Sequence, residues 1–208
     1  MAAWGMRLIA ISGSTRAAST NTAMLECFCQ HAPPNVEMFV YRGLADLPAF
    51  SPDREGVNTP LVVRDFINAI RHADGIILAS PEYVRSIPGG LKNAIDWLVS
   101  GDEIISKPIV LAHASHRGSD MLAALRLVLA MVTQRFNPNL FLQFPLMSKS
   151  PEQVREFLQA KDCVQLMETF LSDFTCGIDS GRAPHGVTRG DSGNTWPESV
   201  DKSVDRAI

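Results

Sequence analysis

The chain of 208 residues has a formal net charge of −3, with 46% hydrophobic and 20% charged residues. That length supports one sizeable domain, and the composition is ordinary for a globular chain. The balance of charge lacks the basic footprint of a nucleic-acid binder, no apolar run approaches the ~20 residues that span a bilayer, and no signal peptide is visible, so the expectation is a cytoplasmic protein with neither nucleic-acid nor membrane partners.

In chain order, residues 6–11 form a compact apolar run, read as a first strand. A helix is predicted from near Ser19 to about His31, stopped by Pro33-Pro34. Residues 36–41 alternate more and include Glu37, which suits a strand nearer the sheet edge. Residues 43–58 are a Pro/Gly/Asp-rich connection, and unstructured loops of that length are often functional. Thr59-Pro60 reads as an N-cap and a first-turn proline, followed by a helical face of Val63, Phe66, Ile67 and Ile70. Residues 75–79 and 108–112 are continuous apolar strands, buried on both faces. Between them a helix turns Leu91, Ala94, Ile95 and Leu98 inward. Residues 121–132 are apolar almost all round, so one side packs on the sheet and the rest needs another cover. A subunit contact is the expected cover, and shelter by the C-terminal segment is the alternative.

Residues 139–144 are the fifth strand candidate. Ser150-Pro151-Glu152-Gln153 is a capping box, opening a helix predicted to reach Cys176 and stop at Gly177. The expected organisation is one domain over residues 1–177 and a polar tail over 178–208. Cys27, Cys29, Cys163 and Cys176 lack zinc-like spacing and read as reduced core residues, so no metal site is expected. Five strands alternating with helices predict an α/β doubly wound parallel sheet, which binds ligands beyond the carboxyl ends of its strands.

Three loops leave such ends. Residues 13–22 combine a glycine, hydroxyls (Ser14, Ser19, Thr22), the Arg16 guanidinium and the Asn21 amide ahead of a helix. That is the makeup of an anion site, since a helix N-terminus offers free N–H groups and partial positive charge. Plain N-capping is the alternative. Neither a Walker A loop nor a Gly-x-Gly-x-x-Gly turn is present. Residues 81–90 hold two prolines and two glycines in a stiff loop whose backbone can face a ligand, with Tyr83 beside it. The third loop, 113–120, holds Ser115, His113, His116 and Asp120. Without a Gly-x-Ser-x-Gly elbow it reads as a ligand-edge loop rather than a hydrolase triad.

Gly-Ser-x-Arg-x-x-Ser-x-Asn (13–21) together with Pro-Glu-Tyr-x-x-Ser-x-Pro-Gly-x-Leu-Lys-Asn-Ala-Ile-Asp-Trp (81–97) resembles the flavodoxin-like NADPH-dependent FMN reductase family, which includes bacterial quinone and chromate reductases. The resemblance covers roughly residues 6–174. It implies a five-stranded flavodoxin-type sheet and an FMN-dependent oxidoreductase with NADPH or NADH as co-substrate. Electrons would pass to a small-molecule acceptor such as a quinone, flavin, azo compound or metal oxyanion. By resemblance, Ser14, Arg16, Ser19, Asn21 and Thr22 bind the FMN phosphate. Pro81, Glu82 and Tyr83 lie along the isoalloxazine, and Ser115 and Gly118 touch its pyrimidine side. A homodimer or homotetramer is implied, and no side chain is assigned as catalytic. The chain departs from the family at Val84, usually Asn, and at Arg85, often aromatic. His113, His116, Arg117 and Ser119-Asp120 depart in the third loop. These ring-side departures keep a second reading open, a flavin-binding electron carrier or sensor with little NAD(P)H turnover. A scaffold that has lost FMN is the third.

Overall fold

The computed structural model describes residues 5–181. Five strands, β1 (Met6–Ser12), β2 (Val36–Tyr41), β3 (Gly75–Ala79), β4 (Ile109–His113) and β5 (Phe136–Gln143), pair in parallel in the order β2-β1-β3-β4-β5. Six helices connect and follow them: α1 (Thr20–Gln30), α2 (Leu61–His72), α3 (Gly89–Asp96), α4 (Ser119–Val132), α5 (Pro151–Leu158) and α6 (Lys161–Ser180). The predicted doubly wound α/β sheet is therefore present. Its strand order reverses between β1 and β3, where such sheets bind ligands.

Hydrophobic patterning decides which helix covers which face. Phe28 of α1 and Phe170 and Leu171 of α6 pack on one side with Val154 of α5, all 4% exposed or less. Phe66 and Ile70 of α2, Leu91 of α3 and Met121 of α4 pack on the other. Each such side chain contributes about 1.5–3 kcal/mol on burial. Every residue of β3 and β4 is buried, as their unbroken apolar runs predict, whereas β2 is a half-exposed edge.

Four local expectations need correction. Thr59 does not cap α2: its hydroxyl donates to the Gly56 carbonyl at 2.9 Å, closing a 3₁₀ turn, and Pro60 stands at the cap position. The strand expected at 139–144 begins earlier, at Phe136. It carries a register shift between Ile109 and Leu111, beside which Asn137-Pro138 bulges out. An edge strand tolerates a proline there. The single helix expected over 151–176 is two, because Gln159 ends α5 and Ala160 adopts an extended conformation (φ −58°, ψ 137°). The helix also does not stop at Gly177. It runs to Ser180, and Ile178 is 2% exposed in the core. Most of the tail expected from 178, residues 182–208, lies outside the described residues. The capping box at Ser150 and Gln153 forms as predicted.

Candidate functional site

β1 ends on Ser12, and Gly13 turns the chain toward α1. The Gly13 N–H donates to the Ala79 carbonyl at 2.7 Å, which fastens the turn to the end of β3. A Cβ at Gly13 would stand 2.5 Å from Ser80 Oγ and 2.9 Å from Leu91 Cδ2. Only glycine lets the first loop lie so close to the second. The following hydroxyls organise the loop. Ser12 Oγ accepts from the Ser14 N–H (3.3 Å) and from Thr22 Oγ1 (2.9 Å), and Ser14 Oγ accepts from the Arg16 N–H (3.4 Å). Ser19, extended at φ −91°, is the N-cap of α1 and accepts from the Thr22 N–H at 3.2 Å.

These residues enclose a cavity of about 130 Å³ lined by Ser12, Ser14, Thr15, Arg16, Thr22 and Tyr41. It sits at the N-terminus of α1, where the partial positive charge of the helix favours an anion. Arg16 is exposed, and among the described residues it makes no ion pair. Asn21 is 7% exposed, with a buried Oδ1 that has no partner among the described residues. Burial, reinforced by the charges of Asp46 and Asp65, pushes the Tyr41 hydroxyl up to about 12, so it stays protonated. Arg42 also lines the cavity but is bound to Glu26, so the cavity offers hydroxyls and one uncommitted guanidinium, the donor set of a phosphate site. Ser19→Ala removes the N-cap acceptor and is expected to cost about 1 kcal/mol, a fall of roughly 2–4 °C in Tm by thermal denaturation.

The second loop lies beside the first: a Cβ at Gly90 would come within 3.5 Å of Thr15 Cγ2. Tyr83 and Ser86 exchange two backbone hydrogen bonds (3.1 and 3.0 Å) across Val84 and Arg85, both in the left-handed region at φ 51° and 58°. This is a type I′ turn, and Val84 at its tip is 99% exposed. Glu82 turns its carboxylate to α4, where Oε2 accepts from the Met121 N–H at 3.0 Å. This contact commits one carboxylate oxygen of the half-buried Glu82 to α4. Arg85 Nε donates to Asp120, and that contact holds the guanidinium more firmly protonated.

The third loop completes the edge. Gly118, at φ 103°, caps α4, and a Cβ there would stand 3.0 Å from His113 Nε2 and 3.7 Å from Glu82 Cβ. Ser115 Oγ accepts from the Arg117 N–H at 2.9 Å, His113 Nε2 bonds the Arg117 carbonyl, and Asp120 takes Arg85. Serine, histidine and aspartate each have other partners, so no hydrolase relay forms. Among the described residues no cluster of three metal-ligating side chains occurs. Burial raises the thiols of Cys27 and Cys29, the latter to about 12, which keeps them protonated and unreactive.

Ser14, Arg16 and Thr22 share the cavity, with Ser19 capping the helix beside it. Asn21 is buried one residue away and is not a lining residue. Pro81, Glu82, Tyr83, Ser115 and Gly118 fall on the two adjoining loops. Sequence reasoning missed Ser12, Thr15, Tyr41 and Arg42. Ser12 carried a signal, being a polar residue at the end of an apolar strand. Tyr41 is placed by its register with Ile11, which only the sheet reveals.

The model of the NADPH-dependent FMN reductase family matches residues 6–142. A quinone reductase of Escherichia coli (strain K12) is 33% identical over 113 residues, 53% of this chain and 60% of the relative. An NAD(P)H-dependent FMN reductase of Pseudomonas aeruginosa is 34% identical over 112 residues, 53% and 60% of the two chains. The match thus spans about 60% of the length of these curated relatives. Among solved structures, the flavoenzyme NAD(P)H:(acceptor) oxidoreductase FerB from Paracoccus denitrificans superposes with a TM-score of 0.65 at 23% identity. The match covers 84% of this chain and 98% of that one. A flavodoxin from the domain Archaea gives 0.51 at 13% identity, over 82% and 99%.

Proposed function

The chain belongs to the NADPH-dependent FMN reductase family, and from that premise we propose that it binds FMN along the carboxyl edge of the sheet and works as an NAD(P)H oxidoreductase toward a small-molecule acceptor. The observation that carries this reading is the hydroxyl-lined cavity at the N-terminus of α1, with the unpaired Arg16 guanidinium on it. The residues fit the cofactor: an anion site next to two loops whose backbone edges are free to meet a flat ring. When bound, FMN supplies two-electron transfer between NAD(P)H and the acceptor.

The chain supplies binding and orientation. Ser14, Arg16 and Thr22 line the phosphate site, Arg16 gripping through its fork, while Ser19 and Asn21 complete it from the N-terminus of α1 behind the lining. Pro81, Glu82 and Tyr83 present backbone to the ring, and Ser115 and Gly118 bound its other side. Glu82 and Asp120 each commit one carboxylate oxygen, to the Met121 N–H and to Arg85. No side chain is assigned as catalytic. Quinones are the first acceptors to test, because relatives carry that name. Free flavin, azo compounds and metal oxyanions follow.

The exposed face of α4 carries Leu127 (72% exposed) and Met131 (86%), which supports a homodimer or homotetramer through that helix. No helix among the described residues is long and apolar enough to cross a membrane, and we place the protein in the cytoplasm. The test is to load the protein with FMN, remove the excess and record the visible spectrum before and after anaerobic NADPH or NADH. Retained flavin that bleaches rapidly is the expected result. The strained turn at Val84-Arg85 favours one alternative, a flavin-binding carrier or sensor, for which the retained flavin would stay yellow.

A further inference from the structure

We infer that His113 is a positioning residue: a neutral imidazole, protonated on Nε2, that fixes the backbone of the third loop through the Arg117 carbonyl. This rests on the reading that the loop borders the flavin.

His113 is the last residue of β4 and is 1% exposed. Its backbone is rigid, because its carbonyl accepts from the Phe144 N–H at 2.9 Å and it stands in register with Gln143. From there the ring reaches forward under the loop. Nε2 lies within hydrogen-bonding distance of the Arg117 carbonyl, and a carbonyl can only accept, so Nε2 carries a proton.

Nδ1 is buried and has no partner among the described residues. A proton on Nδ1 would create a buried cation with one unmet donor, whereas a lone pair there leaves only an unmet acceptor. The second is far cheaper, so the ring is neutral. The neighbouring charges do not alter this. Glu82, on the second loop, is taken by the Met121 N–H, Asp120 of α4 by Arg85, and Arg117 adds positive charge.

The loop is therefore pinned three times: Gln143 Nε2 to the Ser115 carbonyl, the Arg117 N–H to Ser115 Oγ, and His113 to the Arg117 carbonyl. Gly118 passes over the ring at φ 103°, so close that a Cβ would touch it. Without the histidine proton the Arg117 carbonyl loses its anchor, and the two remaining pins, both at Ser115, leave the Arg117–Gly118 peptide less restrained.

The experiment combines ¹⁵N NMR of the His113 ring in the FMN-free protein with the variants H113Q, which retains an N–H donor, and H113L, which fills the space without one. His113→Gln also identifies the ring signals by their loss. The expected result is a pyrrole-type Nε2 and a pyridine-type Nδ1. In H113L, amide exchange at residues 115–118 and the FMN dissociation constant should each rise about tenfold, with H113Q within about threefold of the parent. A cationic ring, the opposite tautomer, or an H113L protein that behaves like the parent overturns the inference. If the parent chain fails to bind FMN, the proposed function falls, while the tautomer and exchange results still decide the role of His113.

Discussion

Arg16→Ala is expected to raise the FMN dissociation constant roughly ten- to a hundredfold while shifting Tm by no more than about 1 °C, since a hydrogen bond to a charged group is worth about 1.5–3 kcal/mol and each 1.4 kcal/mol is a factor of ten. Arg16 is exposed and has no ion pair among the described residues, so its removal disturbs no packing. The second guanidinium on the cavity, Arg42, cannot replace it: Arg42 is bound to Glu26, whose other oxygen takes Arg155 at 2.9 Å. Arg42→Ala should therefore weaken FMN much less. Arg16→Lys should recover only part of the loss, because an ammonium lacks the fork that matches phosphate. The contribution should also shrink as salt is added, in line with an exposed charge. Titration of flavin fluorescence across these variants checks the set. Unchanged affinity in Arg16→Ala would place the phosphate elsewhere.

The frame of the molecule was legible where local chemistry and burial agree. The unbroken apolar runs of β3 and β4 read as strands because they are buried on both faces. Ser150 and Gln153 announced their helix because a capping box is a local device. The sequence was less informative where a distant partner decides. The break between α5 and α6 carries no glycine or proline, so only docking against α1 and the sheet reveals it. Gly177 read as a stop because its missing side chain was visible and the anchoring of Ile178 in the core was not. The site divides the same way. The hydroxyls and Arg16 were readable from one stretch of chain, whereas the diversion of the Glu82 carboxylate to Met121 is a contact across 39 residues.

Val84→Asn combined with Arg85→Gly is expected to stabilise the protein by about 2–3 kcal/mol, because a left-handed conformation costs an ordinary L-residue roughly 1–2 kcal/mol and asparagine and glycine adopt it far more readily. At this chain length that is a rise of about 4–12 °C in Tm. A type I′ turn places both central residues at positive φ, and a β-branched residue is among the least suited to it. The loss of the Arg85–Asp120 contact subtracts little, since Arg85 is almost wholly in water. Val84→Asn alone should recover the larger share, because the branched side chain bears the greater strain. The turn holds its unfavourable geometry through the Tyr83–Ser86 backbone pair and the Glu82 anchor on α4, neither of which the substitutions touch. FMN affinity should therefore stay close to that of the parent while stability rises. Backbone strain persists where the surroundings impose it, and it gathers at functional sites. A more stable variant that loses turnover would show that the tip, not the cradle, selects what reaches the flavin. An unchanged or lower Tm would mean that Val84 and Arg85 do not carry the strain that their φ angles imply.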